Sequence, residues 1–161
     1  VKNSSTLFLR LSKKWLQGEP LTHLQIFTGP YCSSNDYDTI CSHKQHNITI
    51  DRFTDSFPDW LTAADLSISM AGYNTCMNIL QTGIPALVLP FMQNREQTLR
   101  AKKLGEQVPM EILTPNDLAV DKLSIKMAQQ LKRRSGNTTI ALDGADESSK
   151  IINTLLTAKK T

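Results

Sequence analysis

Along this chain, apolar residues switch in strict alternation between short strand-like runs and helix-like stripes, with no internal repeat or low-complexity tract. That pattern leaves few architectures open. When a helix separates each strand from the next, the chain crosses back over the sheet, so the strands run parallel and the helices cover the faces. Leu7, Leu9, Leu11, Trp15 and Leu16 suit a helix beginning near Ser4 or Ser5, and a strand Leu24–Thr28 follows, ended by Gly29-Pro30. A helix feeding a strand in this order implies a strand ahead of it. Further strands are expected at Ile48–Ile50, Leu66–Ile68, Ala86–Leu89 and Met110–Leu113. Between them fall a short helix carrying Phe57, Trp60 and Leu61 and capped by Asp55 or Ser56, a helix Asn74–Thr82 stopped by Gly83, and a helix from Arg95 to Leu104 before Gly105. Thr114-Pro-Asn-Asp117 opens a long helix ending near Arg134, Ser135–Thr138 is a loop, and Ala145–Ala158 forms the last helix. The sum is an α/β fold, a Rossmann-like, doubly wound parallel sheet flanked by helices.

Length and composition support one such unit. The 161 residues make a single domain, and 40% hydrophobic residues against 20% charged exclude a disordered chain. The longest apolar candidate for a membrane span, Ile84–Met92, holds Pro85 and Pro90 and falls well short of the roughly 18 residues a spanning helix needs. Val1–Thr6 is polar, with no basic start and apolar run behind it, and the chain begins without Met, so its start reads as a cut inside a longer protein. The net charge of +3 comes from Lys and Arg dispersed along helices, not from the dense stripe that nucleic-acid binding requires. Three cysteines, an odd set, suit reduced thiols and a cytoplasmic setting. Cys32, Cys41, His43 and His46 lack the close Cys pair of a zinc site and sit in a Ser- and Asn-rich stretch that reads as surface helix. No metal and no cofactor is expected.

Glycine spacing excludes two common phosphate sites, the dinucleotide fingerprint and the Walker loop. In doubly wound sheets, ligands bind beyond the carboxyl ends of the strands, and two turns there hold suitable chemistry. In Ser69-Met-Ala-Gly72-Tyr73-Asn74-Thr75, Gly72 permits close backbone approach, and the amides of Tyr73, Asn74 and Thr75 at a helix start favour an anion such as a diphosphate. Asn78 lies one turn further on the same face, within reach of a ribose hydroxyl. Asn74 and Thr75 could equally serve as helix caps, with Gly72 a simple turn. In Pro90-Phe-Met-Gln93-Asn94-Arg95-Glu96-Gln97, Glu96 and Gln97 offer an acceptor and an amide suited to vicinal sugar hydroxyls, although a first-turn Glu is also favoured by the helix dipole.

The run Ala64-Asp65-Leu-Ser-Ile-Ser-Met-Ala-Gly72-Tyr-Asn-Thr75, continued by Gly83-Ile-Pro85-Ala-Leu-Val-Leu-Pro90, Arg95-Glu-Gln97 and Arg100-Ala101, resembles the carboxy-terminal domain of family 28 glycosyltransferases. The family includes the peptidoglycan UDP-N-acetylglucosamine transferase and enzymes that glycosylate lipids, and its members have the GT-B fold, two Rossmann-like domains facing across a cleft. The resemblance is good from about Thr22 to Leu113. It implies that the Gly72 loop with Tyr73, Asn74 and Thr75 holds the donor diphosphate and that Asn78 contacts the ribose. It further implies that Glu96 and Gln97 contact the donor sugar, with Gln93 and Asn94 of the same loop among the donor-binding residues, and that Asp51–Thr54, including Phe53, lies against the nucleobase. Two departures are visible: the ribose position is commonly Glu in the family, and the family's first strand with its glycine-rich loop is missing.

The function implied is the nucleotide-sugar donor-binding half of an inverting, metal-independent glycosyltransferase that moves a hexose, from a UDP-sugar, to a lipid or small-molecule acceptor. The general base then belongs to an amino-terminal acceptor domain, in cis or on a partner subunit, through which peripheral membrane contact would also come. His23, His43 and His46 are poorly placed as bases, and no catalytic residue is assigned. Two alternatives are a donor-binding subunit that recruits a membrane partner and a nucleotide-sugar epimerase of the same fold.

Overall fold

The structure, a computed structural model, describes residue 10 and residues 23–91, 93–136, 141 and 143–158. Strands β1 (Leu24–Phe27), β2 (Ile48–Asp51), β3 (Ser67–Met70), β4 (Ala86–Leu89) and β5 (Met110–Ile112) alternate with helices. These are α1 (Ser34–Cys41), α2 (Phe57–Ala63), α3 (Tyr73–Thr82), α4 (Arg95–Gly105), α5 (Val120–Gln130) and α6 (Gly144–Ala158). The helix expected from Ser4 or Ser5 to Leu16 lies outside the described residues, except for Arg10, which is helical and donates to the Leu118 carbonyl at 3.0 Å. The end of the Ser135–Thr138 loop also lies outside them.

Every pairing of these strands is parallel, as the alternation requires, but hydrogen bonding divides them into two ladders, β1-β2 and β3-β4-β5. Helix α2, which connects β2 to β3, carries the chain from one ladder to the other. Aromatic packing joins the ladders: the Phe27 ring of β1 meets Phe57 at 6.0 Å and Trp60 at 5.6 Å on α2, both edge-on.

β4 is buried on both faces, which is why its sequence is an unbroken apolar run. Ala86 and Val88 enter one core with Cys76, Ile79 and Leu80 of α3 and Ala101 and Leu104 of α4. Leu87 and Leu89 enter the other with Leu123 and Met127 of α5. Gln130, at the end of α5, is almost fully buried, and its amide nitrogen donates to the carbonyls of Ala86 (3.2 Å) and Pro109, pinning α5 to the starts of β4 and β5. A separate core of Ile26, Ile40, Ile48 and Ile50 holds α1 on the first ladder. Gly83 ends α3 in a left-handed conformation, φ 67°, where its N–H bonds back to the Ile79 carbonyl at 2.8 Å.

The long helix expected from Thr114 to Arg134 is broken. Pro115–Leu118 forms a 3-10 turn, Ala119 is extended, and the α-helix runs only from Val120 to Gln130. The Asp117 carboxylate accepts from both the N–H (2.7 Å) and the hydroxyl (2.6 Å) of Thr114, and this local closure competes with continuous helix.

Candidate functional site

β3 and β4 are neighbours in parallel register, Met70 beside Leu89, so the loops that follow them leave the same edge of the sheet. The Ala71 N–H still reaches the Leu89 carbonyl at 3.2 Å, and the chains diverge only beyond that bond. Gly72 is then the residue from which α3 starts. No side chain caps this helix: its first backbone bond runs from the Cys76 N–H to the Gly72 carbonyl, 3.0 Å, and the amides of Tyr73, Asn74 and Thr75 have no helical partner. The capping role open to Asn74 and Thr75 is therefore excluded, because both lie inside the helix. Tyr73 and Asn74 are exposed, Thr75 in the same turn is half-buried, and so is Asn78 one turn further on.

Gly72 adopts φ −66°, a conformation open to any residue, and a Cβ there would meet only the Thr75 hydroxyl at 3.9 Å. Folding does not demand glycine at this position.

The second loop is closed by its own side chains. Asn94 caps α4, its Oδ1 accepting from the Gln97 N–H at 3.1 Å, and Gln97 Oε1 accepts from the Phe91 N–H at 3.0 Å. Both carboxamide oxygens are thus committed to the loop, and their NH2 groups are the donors for a ligand. Gln93 and Glu96 are exposed. Glu96 Oε1 pairs with Arg100 one turn along α4, and the Arg100 guanidinium lies over the Tyr73 ring, 5.0 Å from its centroid. One cation thus links the first turns of α3 and α4. In the sequence Arg100 stands only as part of a motif, since nothing in the local pattern foretells its contact with Tyr73. Cys76 lies behind it; burial pushes its thiol up, against a smaller opposing pull from Arg100.

Phe53 follows β2 in the other ladder, is exposed, and makes no ring contact or hydrogen bond among the described residues. Its neighbours are structural: the Asp51 and Arg52 carbonyls accept from Thr28 and Gly29 at 3.0 and 2.9 Å, the Asp51 carboxylate accepts from Gln25 at 2.8 Å, and Arg52 donates to the Cys32 carbonyl at 2.8 Å. Arg52 also covers the Tyr37 ring at 4.0 Å. The Tyr37 hydroxyl is held above its ordinary value, chiefly by its hydrogen bond with Cys41. Among the described residues, no three His, Cys, Asp or Glu side chains gather as a metal site would need.

The sequence profile of the glycosyltransferase family 28 C-terminal domain matches residues 5–154. Over 121 residues, 71% of this chain and 33% of the relative, the chain is 25% identical to the UDP-N-acetylglucosamine--N-acetylmuramyl-(pentapeptide) pyrophosphoryl-undecaprenol N-acetylglucosamine transferase of Bacillus subtilis. It is 30% identical to the transferase of the same name from Bacillus licheniformis over 79 residues, 48% of this chain and 22% of that one. The chain therefore spans about a third or less of the length of these relatives. The crystal structure of Acinetobacter baumannii MurG superposes with a TM-score of 0.56 at 25% identity, covering 78% of this chain and 38% of the other. The glycotransferase of kitacinnamycin, at 0.63 and 13% identity over 79% of this chain and 31% of its own, shares the fold. With the profile matched over nearly its whole length and the α/β fold shared with GT-B enzymes, the chain belongs to the glycosyltransferase family 28 C-terminal domains.

Proposed function

We propose that this domain binds the nucleotide-diphospho-sugar donor, a UDP-sugar, of an inverting, metal-independent glycosyltransferase. The observation that carries this reading is the uncapped start of α3, open at the same sheet edge as the Glu96 loop. Three amides without a helical partner and the Thr75 hydroxyl suit a diphosphate, and they stabilise the charge that develops on it as the sugar bond breaks, the task a divalent cation performs elsewhere. On this reading Asn78 contacts the ribose, and Phe53 offers its backbone groups and ring to the base. The sugar meets Gln93, the Asn94 and Gln97 amides and the Glu96 carboxylate. An amino-terminal domain or partner subunit supplies the acceptor, the general base and any peripheral membrane contact, in the cytoplasm. No helix of the described residues is long and apolar enough to cross a membrane. The matched curated relatives are named as transferases, which favours transfer over epimerisation.

Calorimetry tests the reading. UDP should bind roughly tenfold tighter than UMP, because the outer phosphate meets the helix start, and Gly72→Val should erase that preference while the fold is kept. Equal affinities for UMP and UDP in the unmutated chain would make the turn purely structural.

A further inference from the structure

We propose that Arg100 is a positioning residue that fixes the sugar-binding carboxylate of Glu96 to the wall of the diphosphate cradle, so that the two loops hold the donor as one unit. The inference rests on the donor-site reading above. An ion pair four residues apart on one helix is usually loose, because water solvates both ends. Here the two ends differ: the Glu96 side chain is 77% exposed, whereas that of Arg100 is 16% exposed. The guanidinium leaves α4 and is covered by the ring of Tyr73, the first residue of α3. Lying over the ring and paired with Glu96, the guanidinium is held from two sides, an arrangement that a lysine ammonium, a single point charge without the fork, does not reproduce.

Two consequences follow for a bound donor. Glu96 commits Oε1 to Arg100, and Oε2 becomes the acceptor for one sugar hydroxyl, at a position set by α3 as much as by α4. The positive charge also sits beside the helix start that faces the diphosphate. Arg100 therefore couples sugar recognition to phosphate recognition without touching the sugar.

The test measures three ligands on the full chain, UMP, UDP and UDP-N-acetylglucosamine, by ligand-observed NMR titration. The readout is the sugar increment, the ratio of the UDP to the UDP-N-acetylglucosamine dissociation constants. Arg100→Met, which keeps most of the stem, should reduce this increment roughly tenfold, about one charge-assisted hydrogen bond, and leave UMP within about twofold. Arg100→Lys should restore the charge but not the increment, and it decides the matter if the Met variant does not fold. In a double-mutant cycle with Glu96→Gln, the two losses should not add, because both break the same unit. A sugar increment unchanged in both Arg100 variants overturns this inference alone, as does full additivity in the cycle. A parallel loss for all three ligands with a lowered Tm assigns Arg100 to the fold and also overturns it. An unmutated chain that binds UDP-N-acetylglucosamine no better than UMP overturns the donor-site reading itself, and the inference with it.

Discussion

Two glycines separate structural need from ligand need. At Gly83, φ is 67° and a Cβ would lie 1.6 Å from the Gly136 carbonyl oxygen, so Gly83→Ala strains the backbone and forces two segments apart. It should cost well above the ~1 kcal/mol of an ordinary glycine substitution, measured as a loss in urea midpoint. Gly72→Ala meets neither obstacle and should change stability by less than about 0.5 kcal/mol, so any loss of UDP binding in that variant belongs to the ligand. Gln130→Met would remove a buried side chain that donates to the Ala86 and Pro109 carbonyls, and should cost about 1–3 kcal/mol. The Thr114 hydrogen bonds hold the Asp117 carboxyl below its ordinary value, with Lys126 adding to the effect. A depressed carboxyl stabilises the fold above the unfolded value, so this contribution is present at neutral pH and is lost as pH falls through the acid range below about 4. Lys126, raised chiefly by its bond to Glu111, works in the opposite window: its contribution is complete below its unfolded value and is lost at strongly alkaline pH. Acid and alkaline unfolding of Asp117→Asn and Lys126→Met should show these flattened slopes separately.

At the scale of elements, α6 stands apart. Ile151, Ile152, Leu155 and Leu156 are 56–65% exposed, and none of its residues with described burial is buried. Deleting residues 144–161 should therefore leave the urea midpoint of the remaining domain nearly unchanged, whereas a helix packed on the core would lower it markedly. Element type was largely legible in the sequence, because the apolar runs at Ile48–Ile50 and Ala86–Leu89 and the stop at Gly83 are local signals. α1 was visible only as polar surface, since Ile40 is its single buried residue. The break at Ala119 was hidden because Thr114 and Asp117 look the same whether they open a long helix or close a short turn. The two turns of the candidate site could be located, because each follows a strand in the chain. The division into two ladders and the Arg100–Tyr73 contact could not, as both depend on which distant segments meet.

For the whole molecule, a donor wall alone is not an active site. This chain, assayed by itself with radiolabelled UDP-N-acetylglucosamine and a lipid acceptor pool, should transfer no sugar: on the proposed reading the base lies in the acceptor domain or partner, and orientation and proton transfer together account for several orders of magnitude in rate. Transfer by the chain alone would overturn the reading of a one-walled site. The divided sheet has a separate physical consequence. Along β1 on the side away from β2, and along β3 on the side away from β4, the backbone groups bond to no other strand among the described residues. Such edges are templates for any extended segment that comes near, including one from a second molecule. Self-association should accordingly rise with concentration by strand addition, and a short, soluble β-forming peptide matched to those edges should suppress it, turning a discontinuity in the fold into a handle for keeping the domain monomeric.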